Sequence, residues 1–387
     1  MAKKRVGIIG AGIIGTALAY HLSEYKNVEV TVFDKNSVGS GTTAKSAGTV
    51  CLFDDSVPQE FWPVRLLGFQ TYTAMEQGEK GSTGFQKTGT LVVATDKAVE
   101  DSLKTGMAKA RQAGYQADYL TDPEEIHRIM PDLNLEGILG AGYTADDGFF
   151  DATMIANTYA TRARANGAQV LIFTAVTKVN TTDSRVTGVE TSKGVFNFDV
   201  LVDASGPWAR FTGRLVGMEL PIWHTKAEVF VLEPRPKLEY PFPILKYPRF
   251  YARREHDDIF ICKAHLTMDL SDSKHAGIFD PDKLPLRGGA ERYFLDFLFG
   301  QLEQHCPRLL TSGIKNDWVG YRAETPDYLP ILGETPIDGY MLAVGFGGNG
   351  VIEAPAAGQD LAKYIATDEN SPLIERLKLE RLPATKA

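Results

Sequence analysis

Val6-Gly7-Ile8-Ile9-Gly10-Ala11-Gly12-Ile13-Ile14-Gly15, answered further on by Val30-Thr31-Val32-Phe33-Asp34, decides the fold of this 387-residue chain. The first apolar run predicts a buried parallel strand and the second its neighbour, with a helix over Thr16 to Tyr25 between them. Gly10 permits a tight turn out of the strand, Gly12 lets the backbone approach a pyrophosphate, and Gly15 lets helix and strand pack closely. The N-terminus of that helix supplies N–H groups and a positive dipole end. Asp34, at the tip of the second strand, accepts hydrogen bonds from ribose hydroxyls. Ile13, Ile14 and Lys35 are counted with this set. A glycine fingerprint alone is a weak signal; between two strands, with an acid at the second tip, it points to a bound ADP moiety.

Lys3-Lys4-Arg5 ahead of an apolar run also has the form of a secretory leader. Three glycines at fingerprint spacing, then Tyr20, His21 and Glu24 with no persuasive cleavage site, argue against it. Hydrophobic content of 43%, charged content of 23% and a net charge of −8 describe an ordinary soluble enzyme. The acidic balance leaves no basic surplus for nucleic acid, and no apolar run is long enough to span a membrane. Cys51, Cys262 and Cys306 are too scattered for a disulfide framework or a zinc site, and the 7 histidines form no ligand-spaced cluster. No metal is therefore expected, and a reducing cytoplasm is the expected setting.

Along the chain the texture alternates. Residues up to about 50 read as βαβ, followed by helical and strand patterns to Gly114. The α/β texture returns near Asp151, and Val200 to Ala204 is a buried strand running into Ser205-Gly206-Pro207-Trp208. From Pro221 the pattern is strand-rich and aromatic, and the last third ends in Gly-rich turns and a helix over Pro355 to Ala366. The expectation is an α/β protein of two domains, each assembled from discontinuous segments.

Two Gly-rich runs then extend the nucleotide site. After Asp34 the chain enters Gly39 to Gly48, rich in small residues, with the hydroxyls of Thr42 and Thr43. Such a run can line a pyrophosphate and pass beside a flat ring. Gly345-Phe346-Gly347-Gly348-Asn349-Gly350-Val351 places accessible backbone just before a helix N-terminus, where negative charge is favoured. A reduced isoalloxazine carries such charge.

With these residues the chain resembles the D-amino-acid oxidase type of FAD-dependent oxidoreductases, which includes glycine oxidase and monomeric sarcosine oxidase. The motifs Gly10 to Asp34, Gly41 to Gly48, Val202 to Trp208 and Gly320 to Gly358 occur in the family's order and span nearly the whole chain. The resemblance implies a Rossmann-like FAD-binding domain (1–84, 149–219 and 318–387) and a mixed, largely antiparallel α+β substrate domain (85–148 and 220–317). It implies that Val176 contacts the adenine through its main chain and that Thr42, Thr43, Ser46, Ala47 and Gly48 flank the pyrophosphate and flavin. Gly347, Gly348, Asn349, Gly350 and Val351 would bind the flavin edge, with Ala204, Ser205, Gly206, Trp208 and Gly320 also along the cofactor. The run Gly320 to Pro330 has no cysteine and Gly39 to Gly48 no histidine, so FAD is expected to be held without a covalent bond, although Cys51 lies just past the loop.

Arg322 is the leading substrate residue, because a guanidinium presents a two-pronged fork to a carboxylate and keeps its charge when half-buried. Its position is similar to the family arginine that clamps an amino acid; the alternative is an ion pair with Glu324 or Asp327. Tyr251, which shares a strand face with Arg253, resembles a family tyrosine that contacts the same carboxylate, and packing is its alternative. Lys263 and His265 are further candidates, Lys45 and Lys226 weaker ones. The expected reaction is oxidation of the C–N bond of a small amino acid or N-methyl amino acid, with O2 or another electron acceptor. A dehydrogenase of a 2-hydroxy acid or glycerol phosphate and a flavin subunit of a larger complex are the alternatives, and a homo-oligomer is also open.

Overall fold

The computed structural model describes residues 3–53, 58–247, 250–263, 276–283 and 288–383. Its centre is a six-stranded sheet in the order Ile331–Glu334, Tyr340–Val344, Val200–Asp203, Lys4–Ile9, Val28–Phe33, Gln169–Leu171. All neighbours run parallel except the edge strand Ile331–Glu334, which is antiparallel to Tyr340–Val344. Val6 stands opposite both Val30 and Val200, and the last four residues of Lys4–Ile9 are buried, as a strand covered on both faces requires. Lys4 and Arg5 of the charged run open this strand.

Helix Ile13–Ser23 packs on this sheet between helices Ala152–Ala165 and Gly350–Thr367, with Ala17, Leu18, Ala19 and Leu22 fully buried. It starts one turn earlier than the periodicity predicts, because Gly12 already accepts the Thr16 N–H. A Cβ on Gly15 would lie 1.9 Å from the carbonyl oxygen of Gly10, so the expected close approach is present.

Helix Gly350–Thr367 starts well before the expected Pro355 and carries that proline inside it. A proline there leaves the carbonyl four residues earlier without a helical donor. The hydroxyl of Tyr72, on helix Trp62–Gly78, takes the vacant place.

A nine-stranded mixed sheet forms the second body. Its long ladder pairs Trp223–Glu233 with Gly313–Glu324 along nearly their whole length. Strands Asp258–Lys263 and Phe250–Glu255 follow on the other side of Trp223–Glu233, all antiparallel. Ile244–Lys246 pairs in parallel with Thr90–Ala94. Helix Arg292–His305 covers the far face through Phe294, Leu298 and Leu302. The end of Gly313–Glu324 lies beside the six-stranded sheet, where the Ala323 carbonyl accepts the Gly347 N–H at 2.9 Å, which brings its last residues to the space between the two bodies.

Candidate active site

A continuous cavity of about 460 Å³ lies between the C-terminal ends of the parallel strands and one face of the large sheet. Parallel sheets place ligands at that end. Of the expected nucleotide residues, Gly10, Gly12, Ile13, Ile14, Asp34, Lys35, Val176, Ala204, Ser205, Gly206 and Trp208 line one end of it. Gly15 does not line it; its place is the helix–turn contact described above.

At this end the side chains are already engaged with the backbone. Asp34 accepts from the N–H of Ala11 through one carboxylate oxygen and from that of Asn36 through the other, both at 2.8 Å. Each oxygen keeps a lone pair for a ribose hydroxyl. Thr43 Oγ accepts the Ile13 N–H at 3.1 Å, so one of the helix N–H groups expected to face phosphate is bound within the protein. Lys35 lies 4.3 Å from the centre of the Trp208 ring and pairs with Asp282, whose Oδ1 also accepts from Trp208 Nε1 at 3.0 Å.

The middle of the cavity is walled by Thr42, Thr43, Lys45, Ser46, Ala47 and Gly48 on one side and by Gly320 and Gly345 to Val351 on another. Thr42–Lys45 forms a single 3₁₀ turn. Thr42 Oγ donates to the carbonyl of Tyr321 at 2.8 Å, and Ser46 Oγ accepts the Gly48 N–H at 3.1 Å. Gly48 has φ +65°, and a Cβ there would lie 1.9 Å from the Phe150 carbonyl oxygen. Only glycine fits this turn.

The far end carries Arg322 and Tyr251. Arg322 stands opposite Thr225 in the ladder, half-buried, with Nη1 buried and without a hydrogen-bond partner. A Cβ built on Gly348 would sit 3.5 Å from its guanidinium carbon, so the fork lies over the Gly-rich turn. Neither alternative partner engages it. Asp327 binds Arg381 at 2.8 Å, and Glu324 accepts from Thr225 at 2.9 Å beneath Gly347. Among the described residues no carboxylate lies within ion-pair distance of Arg322.

Trp318, Val229, Cys262 and Tyr251 stand opposite one another on four successive strands, forming a row across the sheet on the cavity side. Burial raises the Tyr251 phenol far above its ordinary range, so it remains a neutral donor; the Cys262 thiol beside it is pushed up to about 11 for the same reason. Lys45 also lines the cavity, and desolvation lowers its ammonium. Lys226 does not; it is held by Glu291 at 2.6 Å and Glu228 at 3.5 Å. Lys263 ends its strand with its side chain outside the described part, and His265 lies outside the described residues.

Several lining residues had no role in the sequence reading, among them Cys262, Glu228 and Arg65. Cys262 is the sequence neighbour of the chosen Lys263, and the structure sets it opposite Tyr251 on the adjacent strand. Buried Glu228, which accepts the Glu291 N–H at 2.8 Å, and buried Arg65, which donates to the Cys51 carbonyl, reach the cavity by long-range packing that no local pattern signals. Among the described residues no helix is long and apolar enough to cross a membrane.

The sequence profile of the family described as FAD dependent oxidoreductase matches residues 5–364. Human mitochondrial dimethylglycine dehydrogenase is 27% identical over 379 residues, covering 94% of this chain and 42% of its own length. The chain thus spans less than half of that relative. Glycine oxidase of Geobacillus kaustophilus is 26% identical over 372 residues, covering 95% of this chain and 94% of its own. The crystal structure of L-proline dehydrogenase from P. horikoshii superposes with a TM-score of 0.82 at 24% identity, over 98% of both chains.

Proposed function

The chain belongs to the family of FAD-dependent oxidoreductases, and from that premise we propose that it oxidises the C–N bond of a small amino acid or N-methyl amino acid. The similar enzymes named above act on dimethylglycine, glycine and L-proline, which share a carboxylate next to the carbon bearing nitrogen. The observation that carries the reading is Arg322. Its buried Nη1 has no partner and its fork overlies Gly348, and among the described residues no carboxylate lies within ion-pair distance of it. A buried, unsatisfied guanidinium N–H is costly, and a substrate carboxylate is the group that satisfies it.

The residues present fit FAD. A Cβ at Gly12 or Gly206 would meet almost nothing but cavity, which leaves room for close approach of a dinucleotide. Asp34 and Val176 would hold its nucleoside end, Gly12 and Thr42 to Thr43 its pyrophosphate. Ser46 to Gly48 and Gly347 to Val351 would hold its ring. FAD, when bound, supplies the two-electron acceptor. Arg322 binds the carboxylate at two points and so fixes the orientation of the neighbouring C–H toward the acceptor. Tyr251, kept neutral, donates a further hydrogen bond to the same carboxylate. No side chain is assigned as a base; a substrate amine that enters neutral requires none, and water hydrolyses the resulting imine.

Anaerobic mixing of the yellow holoenzyme with a panel of amino, N-methylamino and 2-hydroxy acids tests the reading. Bleaching by amino or N-methylamino acids is expected. No bleaching by any amine overturns it, and bleaching by hydroxy acids alone transfers the site to the hydroxy-acid alternative.

A further inference from the structure

Arg253 is a buried cation with no place in the reaction proposed above. It is 5% exposed, and its guanidinium carbon lies 4.0 Å from the centre of the Phe149 ring and 4.4 Å from that of Phe260. Nη2 pairs with Glu255 at 2.7 Å, and Nε donates to the carbonyl of Ala47 at 2.6 Å. Two rings packed against a desolvated guanidinium restrain its orientation, and with it the Nε–H that the Ala47 carbonyl accepts. Phe149 tightens the arrangement, because it pairs with Thr49, two residues beyond Ala47.

A second side chain acts on the same loop. Trp318 Nε1 donates to the carbonyl of Lys45 at 3.1 Å. Arg253 and Trp318 belong to the two strands that carry Tyr251 and Arg322, in each case an even number of residues away and hence on the same face. Each strand therefore holds one proposed substrate residue and one anchor for the loop, set on the same sheet.

We propose that Arg253 and Trp318 are positioning residues that set the separation between the substrate clamp and the ring of the cofactor, by holding the Lys45 and Ala47 carbonyls of the loop beside that ring. This rests on the placement of Ser46 to Gly48 against the ring made above. Neither residue touches substrate. Their effect is on the geometry in which a bound substrate meets the acceptor, where a displacement of about 1 Å costs about 100-fold in rate.

The test uses the FAD-loaded enzyme with Arg253→Met, which keeps an apolar stem between the rings, and Trp318→Phe, which removes one donor and keeps a ring. For Arg253→Met, kcat falls by about 10- to 100-fold while KM stays within about threefold, and the visible circular dichroism of bound flavin changes. Arg253→Lys, which restores the charge and one donor, recovers part of both. Trp318→Phe lowers kcat by about 3- to 10-fold, the worth of one hydrogen bond, with the same spectral change. The dichroism needs no substrate, so it decides this inference even if no amine bleaches the flavin. Wild-type flavin dichroism in both variants overturns it, including the case in which only the melting temperature falls. Should Arg253→Met fail to fold, Trp318→Phe decides alone.

Discussion

The guanidinium of Arg322 lies directly over Gly348, close enough that a Cβ on the glycine would stand 3.5 Å from the guanidinium carbon and its Nε. The residue proposed to bind substrate and the turn proposed to receive the flavin edge therefore lie against each other. Arg322→Ala is expected to weaken a carboxylate inhibitor by about 30- to 1,000-fold, corresponding to about 2–4 kcal/mol for one partner of a desolvated charge pair. Arg322→Lys, with a point charge in place of a fork, falls between. Flavin difference titration measures both, and an unchanged dissociation constant in Arg322→Ala removes the clamp assignment.

The glycines make opposite predictions according to what their missing Cβ would meet. At Gly15 it would lie 1.9 Å from a backbone carbonyl oxygen that cannot move aside, whereas at Gly300, in helix Arg292–His305, nothing lies within 4 Å. Gly15→Ala should cost at least about 1–3 kcal/mol by overpacking and lose flavin on purification. Gly300→Ala should gain about 0.5–1 kcal/mol. Denaturant midpoints and the flavin-to-protein absorbance ratio check the pair; a stable, yellow Gly15→Ala protein contradicts the close contact.

What could be read in the residues followed the range of the forces involved. Gly10 to Asp34 is local, since turn, helix start and strand tip lie within one βαβ unit, and each residue type has its own steric or hydrogen-bonding reason. Gly347 to Val351 was legible for the same reason. The start of the following helix was not. Proline is favoured in a first helical turn, so Pro355 reads as a start, and the donor that lets the helix begin at Gly350 comes from a residue 279 positions away. Arg253 and Trp318 were equally hidden, because their partners at Ala47 and Lys45 are 206 and 273 positions distant.

Glu353 makes a pH-dependent prediction. It is buried in the first turn of helix Gly350–Thr367, and desolvation pushes its carboxyl up to about 7, with Arg65 pulling the other way. Because the folded value exceeds the unfolded one, the folded state holds this proton more tightly. Stability therefore falls as pH rises from about 4.5 to about 7 and stays lower above that, by up to about 3 kcal/mol. Glu353→Gln removes the titration. Its melting temperature relative to the native protein should rise between pH 5 and pH 8; a difference that does not change with pH sinks the prediction.

The hydroxyl of Tyr72 donates to the carbonyl of Val351 at 2.7 Å, the acceptor that Pro355 leaves open. Tyr72 is 0% exposed, and its phenol is raised well above its ordinary range by burial, so it remains a donor at any working pH. Tyr72→Phe keeps the ring, which packs edge-on against Phe150 with centroids 5.3 Å apart, and removes only the donor. The part-buried Val351 carbonyl then loses its partner, at a cost of about 1–3 kcal/mol. Because Val351 lines the cavity, part of that cost should appear as weaker FAD binding, and the rest as a lower denaturation midpoint of the apoprotein. Pro355→Ala in the Tyr72→Phe background supplies the missing helical N–H and should restore most of both. A double variant no more stable than Tyr72→Phe alone shows that the hydroxyl was not filling the place the proline left.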